Sequence, residues 1–132
     1  ERLIEECLRY GTERKQFGQE IVQFQLVQGM LADMKTESYA ARCMVLDAAR
    51  NYDEGHRRPG DIAACKYFCS EMVGRVADKA VQIFGGGGYV SEYPVERLYR
   101  DVRIFRIYEG TSQIQQLVIA RNMIREFTGA NR

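Results

Sequence analysis

The sequence has 132 residues, 45% of them hydrophobic and 28% charged, with only two prolines, which excludes disordered, collagen-like and low-complexity classes. Nineteen basic residues against eighteen acidic ones leave a formal charge of +1, too weak a field to gather nucleic acid or an anionic membrane surface. With so small a charge a phosphate-bearing ligand would have to be held by local contacts, and no apolar run approaches the roughly 20 residues needed to cross a bilayer.

The opening "ERLIEECLRYG" is too charged for a secretory leader, and one domain in an intracellular setting is expected over residues 1–132. Its helical pattern begins at Glu1 with no cap ahead, as expected for a piece of a longer chain. Leu3, Ile4, Cys7, Leu8 and Tyr10 predict an amphipathic helix to Glu13. "RKQFGQEIV" interrupts it. From Phe24 to Glu54, Val27, Met30, Leu31, Met34, Ala41, Val45, Ala48 and Tyr52 recur every three or four residues and predict a second helix, ended by Gly55.

"GHRRPGD" reads as a turn, with Asp61 as the cap of a third helix from Ile62 to Phe84. Its apolar side carries Cys65, Cys69, Met72, Val73, Val76, Ala80 and Ile83, and Gly85 to Gly88 stop it. Pro94 suits the first turn of a short helix to about Ile104. Ser112 is the expected cap of the last helix, with Gln115 completing a capping box and Ile114, Leu117, Val118, Ala120 and Ile124 as the apolar stripe. No strand is expected. The pattern predicts an all-α fold, a four-helix bundle with a short extra helix.

The four cysteines lie in apolar-periodic stretches and read as reduced, structural thiols. The single histidine, His56, sits in a turn, so no metal site is expected. Helix logic fails at the glycine run and at "YEGT", the two places where function is sought. The glycine run is followed by no "GK[ST]" and ends a helix where a dinucleotide fingerprint would open one. It remains either a connector or a place where backbone N–H groups can approach an anion or a flat ring. By itself, Glu109 reads first as a charge complementing a helix dipole and only second as a base, and Arg14 first as a solvated side chain and only second as a phosphate ligand.

Three segments narrow these choices. "QIFGGGGYVSEYPVERLYRD" places Gln82, Gly85, Gly86, Gly88, Tyr89, Glu92, Arg97 and Asp101 at intervals that resemble the second signature of the acyl-CoA dehydrogenases. Gly87 stands where members often carry asparagine. "IYEGTSQIQ" is similar to the loop that holds the active-site glutamate of the short-chain and medium-chain members, and "ERKQFGQEIVQFQ" resembles the family's flavin-contacting turn. The resemblance runs through essentially the whole chain. It is to the family's C-terminal helical domain, without the N-terminal helical and middle β-domains.

The resemblance implies FAD as cofactor and an acyl-CoA as substrate, oxidised to a trans-2-enoyl-CoA. Glu109 takes the position of the base, and Gly110 leaves room for the thioester. Arg14 and Phe17, with Gln16 between them, would meet the flavin from a neighbouring subunit. Gln82, Ile83, Phe84, Gly85 and Gly86 would meet its adenine end, Thr111 and Gln113 correspond to a flavin-contacting pair, and Phe24 and Gln25 are further cofactor candidates. The same resemblance implies a homotetramer built as a dimer of dimers, electron-transferring flavoprotein as acceptor, and a bacterial cytoplasmic or mitochondrial matrix setting. An isolated domain would be inactive. The glutamate in "YEGT" argues against members whose base lies on the helix that precedes Glu1 and against nitroalkane oxidases, which use aspartate. An acyl-CoA oxidase and a non-catalytic oligomerisation module stay open as alternatives.

Overall fold

The structure is a computed structural model that describes residues 1–129. In chain order the elements are α1 (Arg2–Glu13), β1 (Lys15–Gln16), β2 (Gln19–Glu20), α2 (Gln25–Asp53), α3 (Pro59–Phe84), α4 (Pro94–Val102) and α5 (Ser112–Thr128), with 3-10 turns at Ile21–Gln23, Gly85–Tyr89 and Arg103–Arg106. The fold is all-α, with the expected four longer helices and short extra one among the described residues. The expectation of no strand fails locally: β1 and β2 form a two-residue antiparallel hairpin, Lys15 paired with Glu20 and Gln16 with Gln19.

Capping differs from expectation twice. The third helix begins at Pro59, whose fixed φ suits a first turn and which has no N–H to satisfy, so Asp61 lies inside that turn instead of capping it. At α5 the cap is Thr111, whose Oγ1 accepts from the Ile114 N–H at 3.3 Å. That frees Ser112, and its hydroxyl donates to Glu71 Oε1 at 2.6 Å. Gln115 serves the backbone of the preceding loop. Gly55 ends α2 as expected, at φ +85°, with the His56 N–H donating to the Asn51 carbonyl at 2.8 Å.

The chain divides into two compact units, with the boundary falling inside both long helices. The first joins Glu1–Tyr39 to Met72–Arg103. Its core is built from Leu3, Cys7, Ile21, Met34, Val76, Ala77, Ala80, Ile83, Phe84, Val95 and Val102. Beside it Tyr10 stacks on Phe84, ring centroids 4.1 Å apart, and Tyr93 meets both edge-on. Burial raises the Cys7 thiol to about 12, with help from the neighbouring Glu6 carboxylate, so Cys7 acts as a small hydrophobe. Leu8, expected inside, is exposed.

On the surface of this unit Glu37 accepts from Arg75 Nε at 2.7 Å and pairs with Lys79 Nζ at 3.4 Å. Burial works against ionisation of Glu37, but the hydrogen bond and charge of Arg75 and the charge of Lys79 outweigh it, holding the carboxyl below its ordinary 4.5. A depressed carboxyl stabilises the fold above its unfolded value and loses that contribution as pH falls through its folded value. Glu37→Gln is therefore expected to lower unfolding free energy by about 0.5–1 kcal/mol at neutral pH, since solvent screens a surface pair. Urea melts of variant and parent should converge as the pH falls below the ordinary carboxylate range and Glu37 takes up its proton.

The second unit joins Ala40–Glu71 to the chain from Ile104 onward. Its buried side chains among the described residues are small: Ala41, Ala63, Ser70 and Ser112. Here the apolar stripes mislead, because Val45 and Tyr52 on α2 and Ile114, Leu117 and Ile124 on α5 are exposed, as is Ala120. Periodicity identifies a face that favours cover. It does not supply the cover. Cys43 is also exposed, against expectation, whereas Cys65 and Cys69 are partly covered and burial raises both thiols; all four cysteines are free.

Candidate active site

In the second unit, the chain between the Arg103–Arg106 turn and α5 carries Glu109, Gly110, Thr111 and Gln113. Ile107 and Tyr108 N–H groups both donate to the Ile104 carbonyl, at 2.8 and 3.1 Å, closing the turn before the glutamate. Glu109 follows at φ +54° and Gly110 at φ +85°. Left-handed backbone costs a residue with a Cβ about 1–2 kcal/mol, so something must hold it there.

Two side chains do so. Gln115 Nε2 donates to the Glu109 carbonyl at 3.0 Å and approaches that of Gly110 at 3.4 Å. Lys66 Nζ, from α3, donates to the carbonyls of Phe105 and Gly110, at 2.7 Å each. Gly110 has no room for a side chain, because a Cβ there would lie 2.7 Å from Gln115 Nε2. Among the described residues, the Glu109 carboxylate has no hydrogen-bond or ion-pair partner and its N–H has no acceptor, and the residue is exposed. A free carboxylate and a free N–H are thus presented by one strained, braced residue. Thr111 caps α5 through its oxygen and keeps its O–H to donate, and Gln113 is exposed.

In the first unit, Phe17 and Gly18 form the tip of the β1–β2 hairpin at φ 51° and 82°, the pair of left-handed residues that a two-residue type I′ hairpin needs. Phe17 is 94% exposed, and its ring touches Phe24 edge-on at 6.2 Å. Arg14 and Gln16 beside it are exposed, as is Gln25, and the Arg14 guanidinium has no ion-pair partner among the described residues. Phe17 and Glu109 are the only non-glycine residues at positive φ among those described.

Gln82, Gly85 and Gly86 are exposed, and a Cβ at either glycine would meet nothing within 4 Å. The side chains of Ile83 and Phe84 are buried in the core, so what these two can offer a ligand is backbone. Gly88 is buried for a different reason: a Cβ there would sit 2.8 Å from the Val81 carbonyl oxygen. The glycine run therefore has an open half and a packed half. Its conformation is a 3-10 turn, where four glycines suggested only an end to helix.

Sequence reasoning missed the bracing set Lys66, Tyr67 and Glu71. Its signal was present: with Ser70, these form a polar row at helical spacing on a helix otherwise read for its apolar side.

The profile of the family described as acyl-CoA dehydrogenase, C-terminal domain, matches residues 1–124. The chain belongs to the acyl-CoA dehydrogenase family. It is 45% identical over 123 residues to caffeyl-CoA reductase–Etf complex subunit CarC of Acetobacterium woodii, a match covering 93% of this chain and 32% of the relative. Butyryl-CoA dehydrogenase from Megasphaera elsdenii superposes with a TM-score of 0.90 at 41% identity, over 93% of this chain and 32% of that one. The FAD complex of PigA does so with a TM-score of 0.88 at 36% identity, over 92% and 32%. The chain thus spans about a third of the length of the relatives it matches.

Proposed function

We propose that this chain is the C-terminal helical domain, residues 1–132, of an FAD-dependent acyl-CoA dehydrogenase, and that Glu109 is its catalytic base. The observation that carries the reading is Glu109 itself, exposed and held in left-handed backbone with both carboxylate and N–H unengaged among the described residues. Strain that bracing maintains at an exposed residue is a mark of function.

The chemistry follows from those two groups. The carboxylate accepts the α-proton of the acyl-CoA thioester, and the electron pair left on the α-carbon forms the α,β double bond as the β-hydrogen departs as hydride. FAD, when bound, supplies the hydride acceptor. Negative charge that builds on the thioester oxygen needs a donor already aimed at it, and the Glu109 N–H is free for that task. Gly110 lets a flat thioester approach the backbone. By microscopic reversibility the same carboxylate returns the proton when an enoyl-CoA is reduced.

The residues assigned to FAD fit such a ligand in character. Arg14 supplies a planar cation, unpaired among the described residues, for a pyrophosphate, Phe17 and Phe24 supply ring faces, and Gly85 and Gly86 leave backbone accessible beside Gln82. Gln16, Gln25, Thr111 and Gln113 add polar groups, and Ile83 and Phe84 contribute through the main chain. A homotetramer, electron-transferring flavoprotein as acceptor, and a cytoplasmic or matrix setting belong to the same proposal. No described helix is long and apolar enough to cross a membrane.

The test is on the full-length protein. It is expected to purify yellow with bound FAD and to bleach anaerobically on addition of at least one member of a straight-chain, branched and aryl acyl-CoA panel. Colourless protein that takes up no added FAD would sink the enzyme reading, and rapid turnover with oxygen alone would favour an oxidase.

A further inference from the structure

One face of α3 braces the chain on both sides of Glu109. Glu71 Oε1 accepts from Ser112 Oγ at 2.6 Å, and Glu71 Oε2 lies 3.2 Å from Arg106 Nε, an ion pair without hydrogen-bond geometry. Tyr67 Oη accepts from Gln116 Nε2 at 2.9 Å. These contacts fix the turn before the loop and the first turn of α5. Lys66 alone on this face reaches the loop that contains the glutamate. Its ammonium joins the Phe105 carbonyl to the Gly110 carbonyl, 2.7 Å from each, so one cation ties together backbone on either side of Glu109.

We propose that Lys66 is a positioning residue for the reaction, holding Glu109 where its carboxylate and N–H act on the same thioester. The inference rests on Glu109 being the base. A lysine suits the task because its three donors rotate about one nitrogen and can serve two carbonyls that need not share a plane, which the rigid fork of arginine does less well. Charge-assisted bonds to carbonyls are roughly twice as strong as neutral ones, and Gly110 has otherwise only the 3.4 Å approach of Gln115 to its oxygen. Lys66 is also partly covered, which shields the bonds from water. Without it the backbone at Glu109 and Gly110 is released from α3 and can leave its left-handed conformation.

The experiment compares Lys66→Met, Lys66→Arg and Glu109→Gln, with the K66M/E109Q double variant, in the full-length holoenzyme. K66M removes the donors and keeps the length of the side chain. Flavin content is expected to stay at the parent level while kcat falls about 10²-fold, the scale of a reacting group displaced by about 1 Å. KM should move less than about threefold, because the lost effect belongs to the transition state. K66R should recover kcat to within about tenfold of the parent, since it keeps a charged donor in imperfect geometry. The double variant should be no slower than E109Q alone, because a residue that acts through Glu109 has nothing left to position. A K66M enzyme within about twofold of the parent kcat would overturn the proposal. So would loss of flavin from both K66M and K66R, which would make Lys66 a folding residue, or additive losses in the double variant. Normal activity in E109Q would instead remove the base assignment, an outcome separable from any behaviour of K66M.

Discussion

In the full-length protein, Glu109→Gln leaves FAD bound and slows its anaerobic bleaching by acyl-CoA by at least about 10²-fold, the lower end of what a positioned general base contributes. Glutamine keeps the size of the side chain, the backbone N–H and the carbonyl that Gln115 holds at 3.0 Å. What it removes is the ability to accept the α-proton. The carboxylate has no partner among the described residues, so no salt bridge is lost with the substitution and the fold should be unaffected. Stopped-flow absorbance of the oxidised flavin band measures the effect directly. Bleaching within about tenfold of the parent would move the base to another residue.

Gly88→Ala is expected to cost about 2–3 kcal/mol of stability and Gly86→Ala close to none, although the two stand two residues apart in the same run. The added Cβ at Gly88 would lie 2.8 Å from the Val81 carbonyl oxygen and 3.0 Å from Val81 Cα, and helical backbone cannot move aside as a flexible side chain would. At Gly86 the Cβ meets nothing within 4 Å, and the backbone is not left-handed. Gly86→Ala therefore probes the ligand in place of the fold: flavin affinity should fall while the melting curve is kept. Urea denaturation of both variants, with flavin retention measured by gel filtration, separates the roles. Equal melting curves for G88A and its parent would show that the packed half of the run yields more easily than its geometry implies.

Much of the fold is legible because helical periodicity is a strong signal over long segments. The ends of α1, α2 and α3 fall within a few residues of the positions that Leu3, Val27 or Val76 and their partners indicate. Caps are less legible because neighbouring residues compete for one role: Thr111 and Ser112 can both cap, and only the partner waiting at Glu71 decides which does. The hairpin at Phe17 was hidden for a related reason. A type I′ turn usually advertises itself with asparagine or aspartate before glycine, and phenylalanine there gives no such sign.

The candidate site was legible only through family resemblance. Composition and spacing left Glu109 as a helix-end charge, and no local pattern says that its φ is positive or that its carboxylate is unpaired. Lys66 escaped notice because its partners are main-chain carbonyls 39 and 44 residues away, and carbonyl positions leave no mark in a sequence. The apolar face of α5 failed in the opposite direction. Its pattern is clear, yet Ile114, Leu117 and Ile124 lie open within the described chain.

The positive φ values of Phe17 and Glu109 bear on how this chain could be engineered for heat resistance. Glycine at either position would release about 1–2 kcal/mol of backbone strain. A selection that scored survival on heating and nothing else would favour such replacements early, and it would discard first the two side chains proposed here to meet cofactor and substrate. Libraries built on this scaffold should keep both positions constant and seek stability in the exposed faces of α2 and α5.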